Sequence, residues 1–160
     1  MSQLKALFEK LGFNDVETFI ASGNVLFSSE LTKASALESK IAGHLETALG
    51  YDVGTFVRSA KEVMAIGSVK SFLEDGQAGI TIHVGLLQQK LSPEIAKNFS
   101  AVRTATDEFH VTGREFYWLC RIPSHESKVW TLPEIKALKL PATTLRNLTS
   151  IRKLIAKHFE

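Results

Sequence analysis

Leu4, Leu7, Phe8 and Leu11 recur at the spacing of one helical face, with Ser2 placed to cap and Gly12 to terminate, so the spacing predicts a helix over residues 3–11. Two runs rich in Val, Ile, Phe and Thr then flank Ser22-Gly23-Asn24. Gly and Asn reach positive φ at little steric cost, so strands over 16–21 and 24–28 are expected to fold back around a tight turn at Ser22, Gly23 and Asn24. Leu37, Ile41, Leu45 and Leu49 mark a helix over 33–49 that stops at Gly50, with Ser35 and Glu38 at capping-box spacing. Residues 52–58 read as a third strand, and Ser59-Ala60-Lys61-Glu62 as a capping box that opens a short helix carrying Val63, Met64 and Ile66.

After the polar break Glu74-Asp75-Gly76-Gln77, clean alternation from Ile80 to Leu86 predicts a strand. Ser92-Pro93-Glu94 starts a helix with proline at its first position, where the missing N–H costs nothing. Strands over 106–112 and 115–121 meet in a second hairpin at Thr112-Gly113-Arg114. Pro133 opens a helix to Leu138, residues 142–145 are extended, and Ile151, Leu154, Ile155 and Phe159 stripe a terminal helix.

Residues 79–146 thus run strand, helix, strand, strand, helix, strand, the order of a ferredoxin-like unit, and residues 3–58 repeat it without the first strand. Each half closes on an arginine and a small polar residue, Arg58-Ser59 and Arg146-Asn147, followed by a further helix. The expected fold class is α+β: two tandem ferredoxin-like (βαββαβ) subdomains with antiparallel sheets, the first lacking its N-terminal strand. The boundary is expected at the polar break, giving subdomains 1–75 and 76–160. An incomplete first sheet could also take a strand from a second copy, making a homo-oligomer.

At 160 residues and 44% apolar composition the chain suits one core, or two small subdomains. No apolar run approaches the roughly 18 residues of a membrane span and the start is amphipathic, so a cytoplasmic protein with no membrane partner is expected. Cys120 is the only cysteine, which rules out an intrachain disulfide and a thiolate cluster; its place in an apolar run marks it as a buried structural thiol. The net charge of +2 hides an asymmetry. Residues 1–119 carry 11 basic and 14 acidic side chains, and residues 120–160 carry 8 basic and 3 acidic. The last quarter is therefore the part able to attract phosphate or nucleic acid, although a solvated helix face explains the same excess.

Leu11-Gly12-Phe13, the run from Thr18 to Val25, Ser127-Lys128 and Thr143-Thr144-Leu145-Arg146-Asn147 together resemble the bacterial family called domain of unknown function 1697. The Ser-Gly-Asn-Val hairpin and the Thr-x-Arg-Asn junction are its two signatures in this chain. Members of that family usually begin with an additional strand and an Arg-Gly-Ile-Asn loop. Neither is in this sequence, so the resemblance implies a truncated N-terminus and the loss of any site built on that loop. The family name assigns no function.

Asn147 or Thr149 is placed to cap the terminal helix, whose free N–H groups favour an anion, with Arg146, Arg152 and Lys153 near in sequence. An equivalent site in the family would bring Ser127 and Lys128 close. The candidate ligand-binding residues are therefore Lys128, Arg146, Asn147 and Arg152, against the plainer reading in which Asn147 only caps and Arg146 pairs with an acidic neighbour.

Gly113-Arg114-Glu115-Phe116-Tyr117-Trp118 faintly resembles the aromatic strand of RNA-recognition motifs. Alternation puts Phe116, Trp118 and Cys120 on one face and Tyr117, Leu119 and Arg121 on the other, both too apolar for a bare stacking platform. His44, His83, His110, His125 and His158 show no metal-ligand spacing, so no metal and no cofactor are expected; phosphate-loop, dinucleotide and nucleophile-elbow motifs are also missing. Three readings follow. The first is a non-catalytic protein binding a small anionic or phosphorylated ligand. The second is an enzyme acting on a phosphorylated or carboxylated substrate with Lys128 or a histidine as acid or base, and the third is a strand-exchanging assembly protein.

Overall fold

Helix α1 (Ser2–Lys10) buries Leu7 and Phe8 beneath the hairpin of β1 (Asn14–Phe19) and β2 (Asn24–Ser28), and α2 (Ala34–Leu49) closes this layer with Leu37, Ile41 and Leu45. Phe13 and Phe27 stack with centroids 4.4 Å apart, and the Lys40 ammonium stands 5.3 Å over the Phe13 ring. The computed structural model describes residues 2–19, 24–30 and 33–159. Ser22 and Gly23 of the signature turn lie outside the described residues. Asn24 is the first residue of β2, in register with Phe19. β1 begins at Asn14, earlier than expected, because it carries one extra residue between Asn14 and Glu17, where Asp15 takes φ 51°. That bulge lets the strand start next to α1 and still keep Val16 inside.

Two expectations fail in this first unit. Ser35 and Glu38 form no capping box: α2 starts after Lys33, without a side-chain cap, and the Glu38 carboxylate is buried, accepting the Val57 N–H at 2.8 Å. For the same reason residues 52–58 are not a strand. Gly54 interrupts the run, Val53 and Val57 are held by packing on the apolar cluster, and the Val57 N–H goes to Glu38 instead of a neighbouring strand.

The second unit is a four-stranded antiparallel sheet, order β4-β5-β3-β6, built from β3 (Thr81–Leu86), β4 (Asp107–Thr112), β5 (Glu115–Cys120) and β6 (Thr144–Asn147). One face is covered by α4 (Pro93–Ser100), α5 (Pro133–Lys136) and the turns at Ser124–Glu126 and Val129–Thr131; Phe99, Val129 and Ile135 pack there on Phe109, Phe116 and Trp118. The other face is covered by α3 (Ala60–Gly67) and α6 (Leu148–His158), which bury Ile66, Leu148, Ile151 and Ile155 on Ile82, Val84, Tyr117 and Leu119. Both faces of β5 are therefore covered, with Phe116 through Cys120 all at 4% exposure or less, and the strand offers no bare face for base stacking. At Gly85 a Cβ would lie 2.1 Å from the Phe116 ring, so this close approach admits only glycine. β6 starts two residues later than expected, because residues 142 and 143 precede the ladder that pairs Thr144 with Leu86.

The two compact units are residues 1–59 and 60–160, so the polar break at 74–78 lies within the second. The cause is visible in the contacts. α3 packs on α6 closely enough that a Cβ on Gly67 would meet the Ile155 side chain at 2.3 Å, and Glu74 and Asp75 are gripped by Arg121 and Arg152. The molecule is thus α+β with antiparallel sheets. Among the described residues no helix is long and apolar enough to cross a membrane.

Candidate functional site

β6 runs directly into α6 at Asn147, an extended residue whose Oδ1 accepts the Thr149 N–H at 2.8 Å. This is an ordinary side-chain cap, satisfying one N–H of the first turn and leaving the positive end of an 11-residue helix beside Arg146. Arg146 is partly buried. Its Nη1 donates to Thr144 Oγ1 at 2.6 Å and to the Leu145 carbonyl at 2.9 Å, and burial lowers its pKa from the ordinary arginine value.

Arg121 and Arg152 shift the other way. Arg152 donates through Nη1 and Nη2 to the two oxygens of Asp75 at 2.9 and 2.7 Å, and through Nε to the Gly67 carbonyl at 2.9 Å; the bonds to Asp75 raise its pKa against the effect of burial. Arg121 forks Glu74 at 2.9 and 2.6 Å and also bonds Glu108, which raises its pKa too. Part of the basic excess of the last quarter is therefore neutralised internally. Arg152, singled out from the sequence for a ligand, already holds a carboxylate of its own chain.

Lys128 is exposed. The next residue, Val129, sinks into the aromatic cluster with Phe116 and Trp118, whereas Arg146 is in register with Val84, which belongs to the cluster on the opposite face. Of the four residues read from the sequence, Arg146 and Asn147 are neighbours at the junction, in register with Val84 and His83, Arg152 is one turn along the helix that follows, and Lys128 precedes Val129 on the Trp118 side of the sheet.

What tethers Ser127-Lys128 is a residue that sequence reasoning missed. Asp107, 1% exposed, accepts from Trp118 Nε1 at 2.7 Å, Ser127 Oγ at 2.8 Å, Thr106 Oγ1 at 2.5 Å and Thr104 Oγ1 at 3.1 Å. Burial pushes its pKa up, but the bonds from Thr106, Trp118, Ser127 and Thr104 outweigh it and hold the carboxyl below the usual range. Cys120, the cross-strand partner of Asp107, directs its thiol at the same carboxylate; burial, then the Asp107 charge and hydrogen bond, push its pKa up to about 12. A Thr-x-Thr-Asp run ahead of an aromatic strand was the available signal, but nothing in spacing alone says that the aspartate points inward.

His83 is in register with Asn147 and stacks on Trp118 with centroids 4.9 Å apart. Its Nδ1 is buried without a hydrogen-bond partner, and burial lowers its pKa, so the ring is neutral at pH 7. The depression lined by Met64, Gly67, Ser68, Arg152 and Ile155 measures about 190 Å³, below the roughly 300 Å³ at which ordinary small-molecule pockets begin. Neither Lys128 nor a histidine lines it. Among the described residues no group of three or more His, Cys, Asp or Glu is placed to hold a metal ion.

The family profile described as Protein of unknown function (DUF1697) matches residues 1–117. The chain belongs to this family. The resemblance first read from the Ser-Gly-Asn-Val hairpin and the Thr-x-Arg-Asn junction therefore holds, although the junction itself lies beyond the matched residues. The chain is also similar to the solved structure of a conserved bacterial protein, SP0830 from Streptococcus pneumoniae, at 17% identity and a TM-score of 0.69, over 98% of this chain and 88% of that one. At that identity the likeness speaks for the fold. No curated protein matches the chain.

Proposed function

We propose that this member of the family is a non-catalytic binding protein for a small anionic ligand, a phosphate or carboxylate, with its site at the β6–α6 junction. The observation that carries the proposal is Arg146. It is a partly buried guanidinium whose pKa is lowered by desolvation, unlike Arg121 and Arg152, and it stands beside the positive end of α6. Arg146 and Asn147 form the core of the site; Arg152 would take part only by leaving Asp75, and Lys128 would take no part. The test is a thermal-shift screen against inorganic phosphate, pyrophosphate, nucleotides, sugar phosphates, coenzyme A compounds and short oligonucleotides. A stabilising hit that weakens steeply with salt only for oligonucleotides would mark phosphate attraction without specific recognition. A screen with no stabilising anion would remove the proposal.

His83 favours a second reading, an enzyme acting on the same class of anion. A neutral, half-buried imidazole paired with Asn147 has the protonation state of a general base at pH 7. Its Trp118-stacked place in the sheet core argues for a structural role, and the second reading falls if His83→Gln leaves turnover of every stabilising ligand unchanged.

We also infer that the fold is a tandem pair of ferredoxin-like units. Support comes from the order β4-β5-β3-β6 of the second unit and from the helix, strand, strand, helix, extended-segment succession of the first. The two-stranded β1–β2 sheet is short of the three strands that such sheets ordinarily need, which supports recruitment of a strand from a second copy; native mass spectrometry giving only monomer at high concentration would exclude it.

A further inference from the structure

Residues 68–79 connect α3 to β3 without a helix or strand, yet their polar tip is fastened at two adjacent positions by arginines from different elements. Glu74 lies in the fork of Arg121, just past β5, and Asp75 lies in the fork of Arg152, on α6. Between these polar anchors and the helices the segment lays Val69 and Phe72 on the apolar cluster of Tyr117, Leu119 and Ile151, while Leu73 beside them is 99% exposed. Gly76 at φ 90° and Gly79 at φ 79° supply turning points before β3. The internal backbone bonds of the tip are few: Asp75 N–H to the Phe72 carbonyl at 3.3 Å, Gln77 N–H to the Glu74 carbonyl at 3.0 Å, and Ile80 N–H to the Gln77 carbonyl at 3.3 Å. A segment with so little ladder of its own is held by whatever grips it from outside.

We propose that residues 68–79 form an ion-latched strap. The two arginine–carboxylate forks keep it closed, and it opens as a unit when they are broken, releasing Arg121 from Glu74 and Arg152 from Asp75 and uncovering the apolar surface under Val69 and Phe72. The rest of the second unit does not need the latch, because α3 and α6 pack on the sheet through Ile66, Leu148, Ile151 and Ile155. Glu108, the other carboxylate on Arg121, stays behind on β4 when the strap leaves and keeps Arg121 partly paired. Among the described residues Arg152 has no such second carboxylate: its bonds run to Asp75 and to the Gly67 and Val69 carbonyls. Opening therefore changes Arg152 most.

Hydrogen exchange read by mass spectrometry tests the latch on the full chain, without any ligand. In Glu74→Gln/Asp75→Asn, peptides covering 69–79 should exchange about tenfold faster than in the unmodified protein, while those covering β3 and β5 keep their rates. Raising salt from about 0.05 to about 1 M should accelerate the same peptides in the unmodified protein and not in the variant, since screening acts on forks that the variant lacks. The single variants Glu74→Gln and Asp75→Asn separate the contributions of the two forks and cover the case in which the double variant fails to fold. Unchanged exchange of 69–79 in all variants would overturn the proposal, as would acceleration of the β3 and β5 peptides in step with the strap.

Discussion

Asp107 shows how a single side chain organises its surroundings. An ionised carboxylate at 1% exposure is tolerated because Trp118, Ser127, Thr106 and Thr104 all donate to it, which fixes the indole and ties the 124–131 segment to the sheet edge. Asp107→Asn turns an amide toward some of those donors and is expected to cost about 2–3 kcal/mol in urea denaturation. The pH dependence has a definite sign. A carboxyl held below its ordinary range contributes stability that is fully present above that range and is lost as pH falls through the lowered value, so the gap between the protein and Asp107→Asn should narrow in acid. Cys120 provides an independent reading of the same node. With its thiol buried and its pKa pushed up to about 12, it should be inert to Ellman's reagent at pH 8 in the native state and give one equivalent of reaction only after unfolding. The sequence marked Cys120 as buried but could not reveal Asp107, because hydropathy treats every aspartate as a surface residue.

At the scale of elements, Gly85 makes the packing of the sheet testable. The Phe116 ring fills the space a Cβ would take, so Gly85→Ala should destabilise the second unit by about 1–3 kcal/mol in the same denaturation experiment, with no change in which strands pair. Elements set by a local pattern could be read from the residues alone. Alternation from Ile80 to Leu86, proline after Ser92 and the Thr112-Gly113-Arg114 hairpin each appear as β3, the start of α4 and the β4–β5 turn. Elements that depend on a distant partner could not. Residues 52–58 have strand composition, but Glu38, 19 residues away, takes the Val57 N–H, and the capping box that Ser35 and Glu38 spelled out is lost to the same bond. The polar stretch at 74–78 reads as a boundary until Arg121 and Arg152 are seen to hold it.

For the whole molecule, the +2 net charge and the basic last quarter are less informative than which cations are already engaged. Arg121 and Arg152 serve Glu74, Asp75 and Glu108, while Arg146 and Asn147 are neighbours at the start of α6. Family membership supplies no ligand, so the β6–α6 junction has to be tested directly. The decisive measurement is the thermal shift produced by pyrophosphate in the unmodified protein, in Arg146→Glu and in Lys128→Glu, which makes the same charge change on the opposite face. We expect a stabilising shift that is lost in Arg146→Glu and kept in Lys128→Glu; a shift that survives Arg146→Glu, or disappears equally in both variants, would contradict an anion site at this junction.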